Sequence, residues 1–149
     1  MKKLSCILLI TILFVSCKTI DNELIKKEQT TVLFELIKGG CYGTCPIYSI
    51  SIDEIRQIKY EGKRFVDAIG TYNWIMNEKD FNTLNALIDK KFKTDYTHNM
   101  QVMDLPLTRL NIKNKYHVKF KGSCPIEFKK ELKQIEMLLL KNANWEKRL

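Results

Sequence analysis

The strongest constraint on the fold is a hydrophobic pattern whose period changes along the chain. Tyr48, Ile50 and Ile52 alternate with polar residues, and this period of two is typical of a strand with one buried face. Three further segments have strand-like composition or alternation: residues 32–37, 58–62 and 65–75. We therefore predict four strands in the first half of the chain.

The period then changes to that of a helix. Asn77 followed by Asp80 matches a helix N-cap with an acidic residue three positions on. Apolar residues next recur at helical spacing, and these are Phe81, Leu84, Ile88 and Phe92. This pattern predicts one amphipathic helix after the four strands.

The pattern repeats on a smaller scale toward the C-terminus. A polar loop at 94–106 leads to two alternating segments around Lys113-Asn114-Lys115, which predicts a hairpin. Pro125 begins a last helix, whose apolar stripe is Phe128, Leu132, Ile135 and Leu139. The order β-β-β-β-α-β-β-α predicts an α+β domain with an antiparallel sheet of about six strands and two helices packed on one face.

The first seventeen residues predict where the protein is located. Lys2 and Lys3 precede an uncharged apolar run that reaches Ser16-Cys17, as in a secretory signal, and this run is too short to span a membrane. Residues 14–17 also resemble the lipobox of bacterial lipoproteins, which implies that Cys17 is acylated and becomes the first mature residue. We thus expect a signal peptide at 1–16, a lipidated N-terminus and tether at 17–30, and a single domain at 31–149, anchored to a membrane of the cell envelope.

The charge balance gives only a general indication of partners. The leader carries two lysines and no acidic residue, so the net charge of +8 becomes +6 in residues 17–149. Outside the cytoplasm this favours anionic envelope neighbours over nucleic acid. The outer face of the predicted hairpin collects Arg109, His117, Lys119 and Lys121. This face is a candidate contact for lipid headgroups or an acidic envelope protein, or else a solvated face that prevents aggregation.

Three cysteines remain once Cys6 has left with the leader and Cys17 is acylated: Cys41, Cys45 and Cys124. A Cys41–Cys45 disulfide requires the chain to curl, for which Gly43 offers freedom, and it stabilises by about 2 kcal/mol in the chain-entropy model. A Cys45–Cys124 disulfide closes about 80 residues and contributes about 4.5 kcal/mol. We favour Cys41–Cys45 because close neighbours collide first.

The segment Cys41-Tyr-Gly-Thr-Cys-Pro-Ile-Tyr48, followed by an alternating strand, resembles the signature of an uncharacterised bacterial lipoprotein family, domain of unknown function 6438. In that family the motif precedes a short sheet, a helix followed by a Phe and a Tyr (here Phe92 and Tyr96), an Asp-Leu-Pro loop (residues 104–106), and a C-terminal helix ending near a Trp (Trp145). The resemblance implies fold and location but no activity. Cys124 does not belong to the family pattern.

Catalytic and metal sites have weaker support. A Cys-x3-Cys-Pro motif resembles the copper site of thioredoxin-like copper-delivery proteins, which add a distant His, here His98 or His117. The alternative metal set is Cys41, Cys45, Cys124 and His117, since thiolates and imidazole suit copper or zinc. In that fold, however, the motif leads into a helix, and here an alternating strand follows.

Hydrolase motifs are absent from the sequence, which has no Gly-x-Ser-x-Gly and no His-Glu-x-x-His. Asp53 and Glu54 are adjacent, so in a strand they point to opposite faces, and a solvated turn is the expected role. The sequence therefore predicts a non-enzymatic binding or structural module of the envelope without a cofactor. A protein that handles thiols or metals is the alternative.

Overall fold

Two groups of strands, each followed by one helix, make up the described part of the chain. The computed structural model describes residues 30–98, 104–141 and 143. The elements in chain order are β1 (Val32–Lys38), β2 (Ile47–Asp53), β3 (Gln57–Arg64), β4 (Gly70–Ile75), α1 (Glu78–Lys91), β5 (Tyr96–His98), β6 (Leu107–Ile112), β7 (Tyr116–Lys121) and α2 (Ile126–Leu140).

All strands form one sheet in the order β4-β3-β2-β1-β6-β7-β5. Every neighbouring pair is antiparallel except β5 and β7, which are parallel. The predicted α+β class with a mostly antiparallel sheet is confirmed, but the prediction of about six strands is one short. The missed strand, β5, has three residues and lies in the segment predicted as a polar loop. So short a segment carries no readable alternation.

The core lies on one face of the sheet, where the alternating apolar residues of six strands meet both helices. Leu84 and Ile88 of α1 and Leu132, Ile135 and Leu139 of α2 are buried in the same cluster as the apolar strand residues. Burying each such side chain contributes about 1.5–3 kcal/mol. The first residues of the two predicted stripes, Phe81 and Phe128, are only partly buried.

The hairpin between β6 and β7 turns as its sequence predicts. Lys113 and Asn114 have φ values of 52° and 51°, the left-handed pair of a type I′ turn, and Ile112 pairs with Tyr116 across the three-residue connection. Lys115 N donates to Ile112 O at 2.9 Å. The hairpin therefore fixes the register in which β6 and β7 align their buried residues.

The fourth strand is shorter than predicted. It begins at Gly70 rather than at residue 65, because Phe65 has a φ of 55°, which does not fit an extended strand. Residues 65–69 form a loop whose Ala68 packs into the core.

Several sequence predictions concern residues beyond this description. The signal segment, Cys17, the tether as far as residue 29, and Trp145 all lie outside the described residues. Of the helices in the described ranges, none has the length and apolar character needed to cross a membrane.

Candidate functional site

The two ends of the sheet differ in what they carry. At one end, which we call the loop end, lie residues 39–46 after β1, 104–106 before β6 and 122–125 after β7. Gly39 N donates to Leu107 O at 2.8 Å, and Gly122 N donates to Pro106 O at 2.9 Å. These bonds tie the three segments together.

The other end, which we call the tether end, receives the chain from its N-terminal side. Thr30 Oγ1 donates to Asp53 Oδ2 at 2.9 Å, and Glu54 N donates to Thr31 O at 3.2 Å. The turn at Lys113 lies at the same end, since its N donates to Leu33 O at 2.8 Å. Strand β1 therefore separates the two ends by about 20 Å, at about 3.3 Å a residue.

A disulfide closes the loop between β1 and β2. Cys41 and Cys45 are joined with their Cα atoms 5.7 Å apart, as the sequence predicted and within the usual range. The expected contribution of Gly43 is wrong, because its φ is not in the left-handed region and an added Cβ would meet only Cys41 Sγ, at 3.8 Å. The loop curls without any conformation that requires glycine there.

Tyr42 lies at the tip of this disulfide-closed loop and is 91% exposed. An aromatic ring on a constrained loop offers a large contact area at a low entropic cost, as in many protein-binding surfaces. The ring is therefore a candidate contact point for a partner.

Cys124 is the free thiol of the described residues, and it is half-buried at the loop end. Burial raises the pKa of the Cys124 thiol, against the opposing effect of the Lys129 and Lys38 ammonium groups. The thiol is accordingly protonated at neutral pH and is a weak nucleophile there.

A cavity of about 370 Å³, which we call the loop-end cavity, opens between α2 and the sheet. Cys45 and Cys124 both line it, as do Lys38 and Glu136. Lys38 Nζ lies 2.6 Å from Glu136 Oε1, and the Tyr48 hydroxyl donates to the same carboxylate oxygen. Both charged side chains are mostly buried, with 27% and 23% exposed.

The Lys38–Glu136–Tyr48 cluster was not predicted from the sequence. A signal was present, because Lys38 continues the core-facing positions of Phe34 and Leu36 at a spacing of two. A lysine in such a position needs a partner. The partner comes from α2, and the sequence spacing does not reveal which acidic residue of that helix is used.

The alternative metal set is not brought together. Cys41 and Cys45 form a disulfide with each other. His117 is exposed and lies opposite Asn111 on the sheet face away from the helices. Within residues 30–98, 104–141 and 143, no group of three or more His, Cys, Asp or Glu side chains is arranged to hold a metal ion.

The basic residues of the last hairpin share the sheet face that the helices leave open. Arg109 lies directly opposite Lys119, and His117 and Lys121 follow at alternate positions of β7. We call these four residues the basic face. Neither Arg109 nor Lys119 forms an ion pair with another described residue, and like charges directly opposite each other destabilise a sheet. An anionic partner would relieve this repulsion.

These features define a class of protein, a small α+β domain with a mostly antiparallel seven-stranded sheet and a disulfide-closed loop after its first strand. The model of the family described as a domain of unknown function, DUF6438, matches residues 32–141. The chain therefore belongs to this family, and the predicted membership is confirmed. No curated protein matches the chain, and no solved structure matches it.

Proposed function

We propose that the protein is a lipid-anchored, non-catalytic binding module of the bacterial cell envelope. The signal-like leader and the lipobox-like residues 14–17 support the anchor. The observation that carries the binding role is the separation of the two ends of the sheet. The chain enters at the tether end through Thr30, and the disulfide-closed loop with its exposed Tyr42 is at the opposite end.

The partner we propose is an acidic envelope protein. Arg109 and Lys119 align with Ile37 of β1, one residue before the strand ends, so they lie in the half of the sheet next to the loop end. This position favours a partner held away from the anchor over the headgroups of the anchoring membrane itself.

The anchor is tested by feeding cells a clickable fatty acid and comparing the wild-type chain with Cys17→Ser. We expect label on the wild-type chain and none on the variant. An unlabelled wild-type chain that retains Met1 would disprove the anchor.

The binding role is tested by photo-crosslinking of the full chain in its native cell. A crosslinking amino acid replaces Tyr42 in one variant and, as the matched control, exposed Lys115 at the tether end in another. We expect one reproducible adduct from position 42. The double substitution Arg109→Glu with Lys119→Glu should abolish this adduct, and the control substitution Lys59→Glu should leave it unchanged. Equal adducts from both positions, or none from position 42, would count against the proposal.

A thiol- or metal-handling protein is the second candidate, because Cys45 and Cys124 line the same cavity. It is tested by counting free thiols and bound copper or zinc in protein purified from an oxidising compartment. Stoichiometric copper would replace our first choice. A stable disulfide with no metal would eliminate the second candidate.

A further inference from the structure

Two polar residues on the core face of the sheet, Lys38 and Thr108, line the loop-end cavity. Lys38 lies directly opposite Tyr48 of β2 on one side and Thr108 of β6 on the other, and Thr108 lies opposite Phe120 of β7. The next row toward the centre of the sheet is apolar, with Leu36 between its neighbours. The core face is therefore partly polar where it reaches the cavity, at Lys38 and Thr108.

Thr108 has an unused hydrogen-bonding group in this row. The residue is 6% exposed and lines the cavity, and its hydroxyl has no hydrogen-bond partner among the described residues. The hydroxyl oxygen itself is not fully enclosed by the protein, so it is accessible from the cavity that the residue lines. Lys38 has three ammonium hydrogens, and one of them is directed to Glu136. The Lys38 ammonium group and the Thr108 hydroxyl come from adjacent strands. Both are therefore available to donate a hydrogen bond to the same group bound in the cavity.

The wall of the cavity supplies further positive charge. Lys129, Lys133 and Glu136 recur on one side of α2 and line the cavity. Glu136 is paired with Lys38, whereas neither Lys129 nor Lys133 has an ion-pair partner among the described residues. Two positive charges around the cavity are therefore uncompensated.

The rest of the lining is apolar. Pro46, Pro106, Phe120 and Leu132 complete the cavity, whose volume of about 370 Å³ is in the range of small-molecule sites. An apolar lining with a few convergent donors is typical of a ligand pocket.

We propose that the loop-end cavity binds a small amphiphilic anion, with its carboxylate or phosphate group accepting hydrogen bonds from Lys38 and Thr108 and its apolar part packed against Phe120 and Leu132. Lys129 and Lys133 attract the anion and strengthen its binding. This inference does not depend on the lipid anchor or on a partner at Tyr42, so its failure would leave the proposed function standing.

Cys124 provides the readout, because its half-buried thiol lines the same cavity. The full chain, as its native cell produces it, is alkylated with iodoacetamide in a non-ionic detergent, and modification of Cys124 is followed by peptide mass spectrometry. The probes are hexanoate, butyl phosphate and inorganic phosphate. A ligand that covers the thiol slows alkylation by a factor of 1 + [L]/Kd, about tenfold when the probe is at about ten times its Kd.

We expect hexanoate, butyl phosphate or both to slow alkylation in a saturable way, and inorganic phosphate to do so more weakly. Protection by only one of the two organic anions would identify the head group. Lys129→Gln with Lys133→Gln should raise the Kd severalfold, up to about tenfold, because two exposed positive charges that attract the anion are lost. Thr108→Val should weaken binding as well, and Lys130→Gln, an exposed change on α2 outside the cavity, should not.

Three results would overturn the proposal. They are no protection by either organic anion, equal protection in the wild-type chain and the double lysine variant, and protection by inorganic phosphate alone. The double lysine variant changes only exposed positions, so it keeps the test decisive if Thr108→Val fails to fold.

Discussion

At the scale of single residues, Asp53 shows how one carboxylate organises a turn. Its Oδ1 accepts from Ile55 N at 3.1 Å and from Gln57 N at 2.8 Å, and its Oδ2 accepts from Thr30 Oγ1. The sequence predicted a solvated role for Asp53 and Glu54 together, which is wrong for Asp53 because it is 9% exposed and fully engaged. Glu54 is exposed as expected.

Asp53→Ala should therefore lower the free energy of unfolding by about 1–3 kcal/mol, because three donors lose a charged acceptor. Urea denaturation of the wild type and of the variant measures this loss of stability. The neighbouring Glu54→Ala should stay within about 0.5 kcal/mol of the wild type. Equal losses in the two variants would mean that the contacts of Asp53 contribute no stability.

Gly62 in β3 is a second position where one residue type is required. A Cβ there would collide with the carbonyl oxygen of Ala68 and crowd the Tyr60 ring. Gly62→Ala should cost at least about 1–3 kcal/mol, the range for overpacking, and thermal unfolding measures it. Gly43→Ala is the matched control, because its Cβ would have ordinary contact distances. A silent Gly62→Ala would show that the loop at 65–69 moves aside freely.

The reactivity of the Cys124 thiol should depend on pH in a way that reflects its partial burial. Burial raises the pKa of its thiol, so the thiolate forms only above the usual value near about 8.5. The rate of iodoacetamide alkylation of Cys124 in the native chain should have a higher pH midpoint than in the same chain unfolded in urea. A native midpoint equal to the unfolded one, or below it, would contradict the proposed environment of the thiol.

At the scale of elements, the start of α1 is defined by reciprocal side-chain bonds. Asn77 Oδ1 accepts from Asp80 N at 2.9 Å, and Asn77 Nδ2 donates to Asp80 Oδ2 at 2.7 Å. The capping prediction is therefore confirmed. The hydrogen bond from Asn77, followed by that from Lys141, holds the pKa of Asp80 below its usual value.

A lowered native pKa stabilises the fold above the unfolded value of about 3.9, and this stabilisation is lost as pH falls through the native value. Asn77→Ala should cost about 1 kcal/mol at neutral pH. The cost should shrink at about pH 3, where the unfolded carboxyl is already mostly protonated and the stabilisation from Asp80 has begun to be lost. Urea unfolding of wild type and variant at the two pH values tests this, and a cost unaffected by pH would separate the cap from the Asp80 charge.

The elements also show what the sequence could predict. The alternation of apolar and polar residues predicted β2 and the β6–β7 hairpin, and helical spacing of apolar residues predicted α1 and α2. Each of these elements buries one regular face and is long enough for its period to be recognised. Strand β5 was not predicted, because a segment of three residues is too short to show alternation. Its parallel pairing with β7 is also non-local in sequence. The loop-end cavity was not predicted for a related reason, because Lys38 and Glu136 are 98 positions apart in the sequence. Only the folded sheet brings them into contact.

At the scale of the whole molecule, the sheet separates a tether end from a loop end, and the disulfide belongs to the loop end alone. It links residues four positions apart, whereas the sheet and helices are joined by apolar packing. The bridge therefore shapes a surface and contributes little to the stability of the core.

Reduction should accordingly lower stability by only about 2 kcal/mol in the chain-entropy model, a Tm shift of roughly 4–10 °C for a domain of this size. Cys124→Ser should keep this reductant-dependent shift, and Cys41→Ser should abolish it. A Cys45–Cys124 bridge predicts the reverse, with a contribution of about 4.5 kcal/mol, because it would connect the first loop to the last helix. Thermal unfolding of the three chains with and without reductant thus distinguishes a local loop closure from a bridge across the fold.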